Sequence, residues 1–225
     1  TASDDADSTV TVTTSGSVDS STVGQYIITY KATDAAGNEA TKTRTVNVVD
    51  TAAPVITLQG DATVDLPYNQ TYTDAGATAS DNVDGTVTVT TSGTVDSSTL
   101  GQYTITYMAT DAAGNEATKT RTVNVVDVTA PTITVTGDNA QIFVGDSYTD
   151  EGATATDDVD ATITVTSSDD IDESTEGTYT VTYTATDAAG NQATATRTVT
   201  VVTPTLSGTA AAGAAIVGTV TVKDS

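Results

Sequence analysis

The chain has 225 residues, 30 acidic against 7 basic side chains, a formal charge of −23, and no Cys, His or Trp. A phosphate backbone calls for clustered Lys and Arg, so nucleic acid and direct contact with an anionic membrane drop out as partners, and without cysteine no disulfide can staple a small domain. No apolar run is long enough to span a bilayer and no charged-then-apolar leader is present, so targeting information is expected to lie outside these residues.

The motif TDAAGN occurs three times, with its aspartates at Asp34, Asp111 and Asp187, a period of 77 and then 76 residues. A period of that length is one small domain per repeat. Taken in order, residues 1–50 form a first repeat that lacks the part equivalent to Thr51–Thr78, because Ser3 aligns with Ser80. Residues 51–127 form the second repeat and 128–202 the third. Residues 203–225 do not match and read as the opening strands of a different β module. Ends that fall inside domains predict a longer parent protein.

Within a repeat the hydrophobic period is two. In GTVTVTT, Val87 and Val89 alternate with Thr86, Thr88 and Thr90, which predicts a half-buried strand. Farther along, Tyr103, Ile105, Tyr107 and Ala109 alternate with Thr104, Thr106, Met108 and Thr110. The third repeat repeats the pattern with Tyr179, Val181, Tyr183 and Ala185. Short strands with frequent turn signals and no helical period predict an all-β chain of tandem immunoglobulin-like sandwich domains. Gly101-Gln102-Tyr103, matched at Gly24 and Gly177, has the form of a tyrosine corner. The following Asp111-Ala-Ala-Gly-Asn115 is then the turn between the last two strands, with Gly114 in a left-handed conformation and the Asp111 carboxylate capping the turn.

The stretches APVITLQGD, YTDAGATASDNVDG, GQYTITYMATDAAGN and TRTVNVVD together resemble the bacterial Ig-like repeats of large surface adhesins and of some pesticidal crystal proteins, and are similar to HYR domains. The likeness covers about residues 1–202. It implies an Ig-like sandwich, an extracellular array on a bacterial cell surface, and a spacer role rather than a particular ligand.

Catalysis has little to work with: there is no histidine or cysteine for a nucleophile and base pair, and an enzyme is not expected. Metal binding is the sharper hypothesis. In an Ig-like sandwich the loop between the second and third strands, the last turn and the entering linker meet at one end. For the second repeat these supply Asp50, Asp81, Asp84, Asp111 and Asn115. For the third they supply Asp127, Asp157, Asp158, Asp160, Asp187 and Asn191, and the first keeps Asp4, Asp5, Asp7, Asp34 and Asn38. All-oxygen ligand sets suit Ca²⁺. The competing reading is that Asp111 and Asn115 only shape the turn while the loop acids are solvated. Arg44, Arg121 and Arg197, the only basic positions present in all three repeats, are expected to form structural ion pairs.

Two functional readings follow. In the first, the repeats are rigid beads of an adhesin or filament, stiffened by calcium at their junctions; their partners are the neighbouring Ig-like domains of the same longer chain, and any host or surface ligand is met by other domains. In the alternative, the repeats themselves bind a glycan or protein partner. The nine tyrosines fall mostly at inward positions, which favours the spacer.

Overall fold

The computed structural model describes residues 1–6 and 10–205, and within them regular structure is all strand. The expected module over 203–225 lies, apart from residues 203–205, outside the described residues. The chain divides into two compact units, Thr1–Val126 and Asp127–Ser225, so Asp127 opens the second unit.

The second repeat holds β4 (Val55–Leu58), β5 (Thr63–Pro67), β6 (Ala77–Asp81), β7 (Gly85–Val87), β8 (Val89–Ser92), β9 (Gly101–Thr110) and β10 (Glu116–Val126), after β1 (Thr11–Ser15), β2 (Gly24–Thr33) and β3 (Glu39–Val48) of the first. One sheet has the order β5-β10-β9-β8 and the other β4-β6-β7. β5 runs parallel to β10 and the other neighbours are antiparallel. The third repeat uses β11 (Thr132–Val135), β12 (Ala140–Phe143), β13 (Ala153–Thr156), β14 (Val165–Asp169), β15 (Gly177–Thr186) and β16 (Gln192–Val202). Its sheets are β12-β16-β15-β14 and β11-β13, with β12 parallel to β16. Two sheets packed face to face, each repeat on the same plan, are tandem Ig-like β-sandwiches.

The two-residue period sets the faces. Ile105, Tyr107, Ala109, Val123 and Val125 are buried, and they meet Ile56 and Ala79 of the opposite sheet in one cluster. Tyr103 and Val89 are half-buried, Thr104 and Thr88 are exposed and Thr106 is intermediate, so the register is the expected one; a slip of one residue would invert it. GTVTVTT is not one strand. It breaks at Thr88, with Val87 opposite Ala79 in one sheet and Val89 opposite Ala109 in the other. A strand that changes sheets forms a corner of the sandwich, so Val87 and Val89 both reach the core from different sheets.

Tyr103 donates its hydroxyl hydrogen to the Thr99 carbonyl at 2.9 Å, and Tyr26 and Tyr179 do the same to Thr22 and Thr175. This is the predicted tyrosine corner. The carbonyl is presented by a turn whose Asp96 carboxylate accepts from the Ser98 hydroxyl, the Ser98 N–H and the Thr99 hydroxyl.

The two sheets are tied by a buried guanidinium. Arg121 on β10 is 1% exposed. Its Nη1 contacts the Asp74 carboxylate and donates to the Tyr107 hydroxyl at 2.8 Å, while Nε and Nη2 donate to the Asp61 and Gln59 carbonyls beyond β4. Tyr107 and Tyr72 both donate to Asp74 Oδ1, at 2.6 and 3.1 Å. In the third repeat Arg197 Nη1 pairs with Asp150 and donates to the Tyr148 hydroxyl, and Tyr183 and Tyr148 donate to Asp150, but the buried Arg197 Nε and Nη2 have no hydrogen-bond partner among the described residues. Burial works to raise the Asp74 carboxyl, but the hydroxyls of Tyr107 and Tyr72, the Gly76 N–H and Arg121 outweigh it and hold the pKa low. Burial and the bond to a carboxylate push the Tyr107 and Tyr183 hydroxyls up to about 12.

In the first repeat the single sheet β1-β2-β3 matches β8, β9 and β10, and none of its described residues is buried. Arg44 lies over the Tyr30 ring at 5.8 Å. It has no ion pair among the described residues, unlike Arg121 and Arg197.

Two outcomes follow from the guanidinium network. Asp74→Ala strands a buried cation and should cost about 3–5 kcal/mol, most of which returns in the Arg121→Met/Asp74→Ala double variant; denaturant melts of the three proteins check it. In an alkaline absorbance titration Tyr107 and Tyr183 should ionise last, near pH 12. A tyrosine raised above its ordinary value of about 10 stabilises the fold below that pH, and this contribution is lost as pH climbs toward 12.

Candidate metal centre

The acidic pole of the second repeat is built by three local structures. After β9, the Asp111 N–H donates to the Asn115 carbonyl at 3.1 Å and the Gly114 N–H donates back to the Asp111 carbonyl at 3.2 Å. Gly114 has φ of +91°, in the region that favours glycine. Asp111 Oδ1 accepts from the Asn115 N–H and Oδ2 from the Asn115 side-chain amide, both at 2.7 Å. At the end of β6, Asp81 Oδ1 accepts from the N–H groups of Val83 and Asp84, at 2.7 and 3.2 Å, an Asx turn. Asp84 Oδ2 then accepts from the Ala112 N–H at 2.8 Å and so joins the two loops. Asp50, after β3, is held by the Ala52 N–H on Oδ1 at 3.1 Å.

Asp50, Asp81, Asp84 and Asp111 thus each bring a carboxylate oxygen to within 4.8 Å of the other three. Asp50 Oδ2 and Asp81 Oδ2 are buried there with no hydrogen-bond partner. Buried polar atoms are nearly always satisfied, and an unsatisfied carboxylate oxygen beside other carboxylates is doubly unfavourable.

The third repeat reproduces the arrangement. Asp157 Oδ1 accepts from Val159 and Asp160, Asp160 Oδ2 from Ala188, Asp187 from Asn191, and Asp127 Oδ1 from Thr129. Asp127 Oδ2 and Asp157 Oδ2 are again buried without a partner. The oxygens gather in two triads that share Asp127: one with Asp157 and Asp158, the other with Asp160 and Asp187.

The electrostatics separate the turn acids from the linker acid. At Asp111 and Asp187 burial works to raise the pKa, yet the bonds from Asn115 and Asn191 and from the turn N–H groups hold it low. At Asp127 the Thr129 N–H lowers the pKa, but burial together with the charges of Asp157, Asp187 and Asp158 pushes it up. Both asparagines turn their amide N–H toward the aspartate, so they orient a carboxylate from one step behind the cluster. In the first repeat Asp34 and Asn38 make the same turn bonds at 2.7 and 2.6 Å, and Asp4 caps the Ala6 N–H. Asp4 and Asp34 join no such cluster among the described residues, and Asp7 lies outside them.

Sequence reasoning did not assign Asp74 and Asp150, the acids that pair with the buried arginines. The signal was present in the recurring Tyr72-Thr73-Asp74 and Tyr148-Thr149-Asp150, which keep step with Arg121 and Arg197.

Tandem sandwiches with this corner, turn and acidic pole define a class of Ig-like repeat. The chain belongs to the family "Bacterial surface protein, Ig-like domain", which matches residues 1–48, 56–125 and 133–201. Among curated proteins it is 38% identical to hyalin of Strongylocentrotus purpuratus over 154 residues, covering 59% of this chain and 12% of hyalin. It is 36% identical to the serine-rich adhesin for platelets of Staphylococcus aureus (strain MRSA252) over 110 residues, covering 44% of this chain and 8% of the adhesin. The chain therefore spans a small part of the relatives it matches. Among solved structures it is similar to the protocadherin gammaB7 EC3-6 cis-dimer, with TM-score 0.35, 17% identity, and 82% and 60% of the two chains covered. The expected likeness to surface-adhesin Ig-like repeats and to HYR domains is borne out by this family and by hyalin.

Because the folded state holds the Asp127 proton more tightly than an unfolded chain would, ionised Asp127 costs stability as pH rises above the ordinary carboxylate value. In chelator at pH 7, Asp127→Asn should therefore raise the melting temperature by a few degrees, and the gain should shrink as pH falls toward 3.5. Paired thermal melts across that range check the sign.

Proposed function

We propose that this chain is a non-catalytic spacer of a bacterial surface adhesin or filament, lying outside the cell, and that Ca²⁺ bound at the acidic poles stiffens it. The observation that carries the calcium reading is the set of four buried, unpartnered oxygens, on Asp50, Asp81, Asp127 and Asp157. Each sits in a cluster of carboxylates and appears at the same place in two repeats. A hard divalent cation with several oxygen ligands answers both their missing partners and their mutual repulsion.

Asp50 and Asp127 matter most to stiffness. Each lies in the segment that leads into its sandwich, so an ion that captures it with the loop acids fixes that segment to the sandwich it enters. Asp81 or Asp157 supplies the second free oxygen, Asp84 or Asp160 bridges the two loops, and Asp111 or Asp187 presents an oriented carboxylate with Asn115 or Asn191 behind it. The family and the adhesin relative support the surface setting. The half-buried and buried tyrosines support a spacer over a repeat that itself captures a glycan or protein.

Calcium should raise the melting temperature of the chain and reduce its radius fluctuations in small-angle scattering. Saturation at a hundredfold excess over Kd adds about 2.7 kcal/mol per site. Asp81→Ala and Asp157→Ala should abolish the gain from their own repeats and leave the fold intact in chelator. Identical melts and scattering with calcium and with chelator would overturn the reading.

A further inference from the structure

Arg121 and Arg197 hold the same place in their sandwiches but are not served alike. Arg121 donates from Nε to the Asp61 carbonyl at 2.9 Å and from Nη2 to the Gln59 carbonyl. In the third repeat the loop after β11 is one residue shorter. Val64 and Ala140 lie opposite Val123 and Val199, yet Gly60 precedes Val64 by four positions and Gly137 precedes Ala140 by three. There Arg197, 3% exposed, keeps Nη1 on Asp150 while its Nε and Nη2 are buried without a partner. Those two nitrogens form one edge of the guanidinium fork, the shape that takes a carboxylate through two parallel hydrogen bonds. Leaving that edge bare costs free energy.

A carboxylate stands beside it. Where the second repeat has Ala75 after Asp74, the third has Glu151 after Asp150. A Cβ built on Gly137 would collide with the Glu151 carboxylate and lie 3.6 Å from Arg197 Nη2, so glycine is what admits the acid to this spot. Gly60, at the same place in the second repeat, faces only the Ala75 methyl at 3.6 Å. The Glu151 side chain makes no hydrogen bond or ion pair among the described residues. A pocket of about 210 Å³ lined by Gly137, Asp138, Asn139, Thr196 and Arg197 gives a carboxylate room beside the arginine. Asp138 is the other acid there, but its counterpart Asp61 is present where Arg121 is already satisfied, whereas Glu151 is new where Arg197 is not.

We infer that Glu151 is a latch: its carboxylate closes over Gly137 onto the Nε and Nη2 edge of Arg197 as a two-bond ion pair. The guanidinium is then clamped between successive acids, Asp150 and Glu151, and the third sandwich is tied through side chains where the second is tied through backbone. Because Glu151 is exposed, this tie yields to salt in a way that bonds to carbonyls do not.

Residue-resolved hydrogen exchange of the isotopically labelled full chain tests it, with the Tyr183 and Val199 amides reporting the third repeat and Tyr107 and Val123 the second. Glu151→Gln should lower protection in the third repeat about tenfold, leave the second unchanged, and move the Arg197 Nε–H resonance upfield. Added salt should narrow the gap between the native chain and this variant. Gly137→Ala evicts the carboxylate but also strains a residue at φ +77°, and Gly60→Ala, at φ +76°, carries that strain alone. Gly137→Ala should therefore cost its repeat more protection than Gly60→Ala costs the second, and Glu151→Gln added to Gly137→Ala should cost little further. Equal protection in the native chain and Glu151→Gln, full additivity with Gly137→Ala, or the same loss produced by Asp138→Asn instead overturns the inference.

Discussion

The buried guanidinium holds the rest of this architecture in place. A sandwich of some 76 residues without a disulfide has limited apolar area with which to join its two sheets. Arg121 and Arg197 supply a directional tie, reaching from the last strand of one sheet to an aspartate and a tyrosine hydroxyl, Tyr107 in the second repeat and Tyr148 in the third, and in the second repeat on to carbonyls beside the opposite sheet. A cation buried to 1–3% exposure is tolerable only with such partners.

With the sheets fixed, the pole can carry strain of a different kind. Asp111 and Asn115 close the turn after β9, Asp81 closes the loop after β6, and Asp84 links them through the Ala112 N–H. Each aspartate spends one oxygen on a backbone N–H, and Asp111 gives its second to the Asn115 side-chain amide. What is left over points inward, and the linker aspartate arrives last with its own free oxygen. The pole is thus pre-organised by backbone hydrogen bonds made with the same carboxylates that crowd it. That arrangement costs free energy until a cation neutralises it, which is why linker acid and ion are coupled in this account.

Much of this was legible in the sequence because it is local. The two-residue period of Tyr103 to Ala109 gave the buried face, the spacing of Gly101 and Tyr103 gave the corner, and Asp111 to Asn115 gave the turn. The gathering of Asp50, Asp81, Asp84 and Asp111 followed from knowing which loops of a sandwich share an end. Two things were not legible. The break at Thr88 is a tertiary event, since Val87 and Val89 alternate like any strand and only the meeting of two sheets parts them. The pairing of Asp74 with Arg121 spans 47 residues, and only the recurrence of Tyr-Thr-Asp in step with Arg121 and Arg197 sets Asp74 apart from the many other acids of so acidic a chain. The asparagines carried an ambiguous signal too: Asn115 and Asn191 are oxygen-bearing, but the turn uses their N–H groups.

The claim on which the account turns is that a divalent cation sits among these inward oxygens rather than on surface acids at large. Backbone amide shifts of the isotopically labelled chain, followed as calcium is added to chelator-treated protein, address it residue by residue. The account predicts saturable changes concentrated at Ala52, Val83, Asp84 and Ala112 in the second repeat and at Thr129, Val159, Asp160 and Ala188 in the third, whose N–H groups bind the clustered carboxylates. Small, non-saturating changes spread over exposed acids such as Asp19, Asp96 and Asp172 would contradict it.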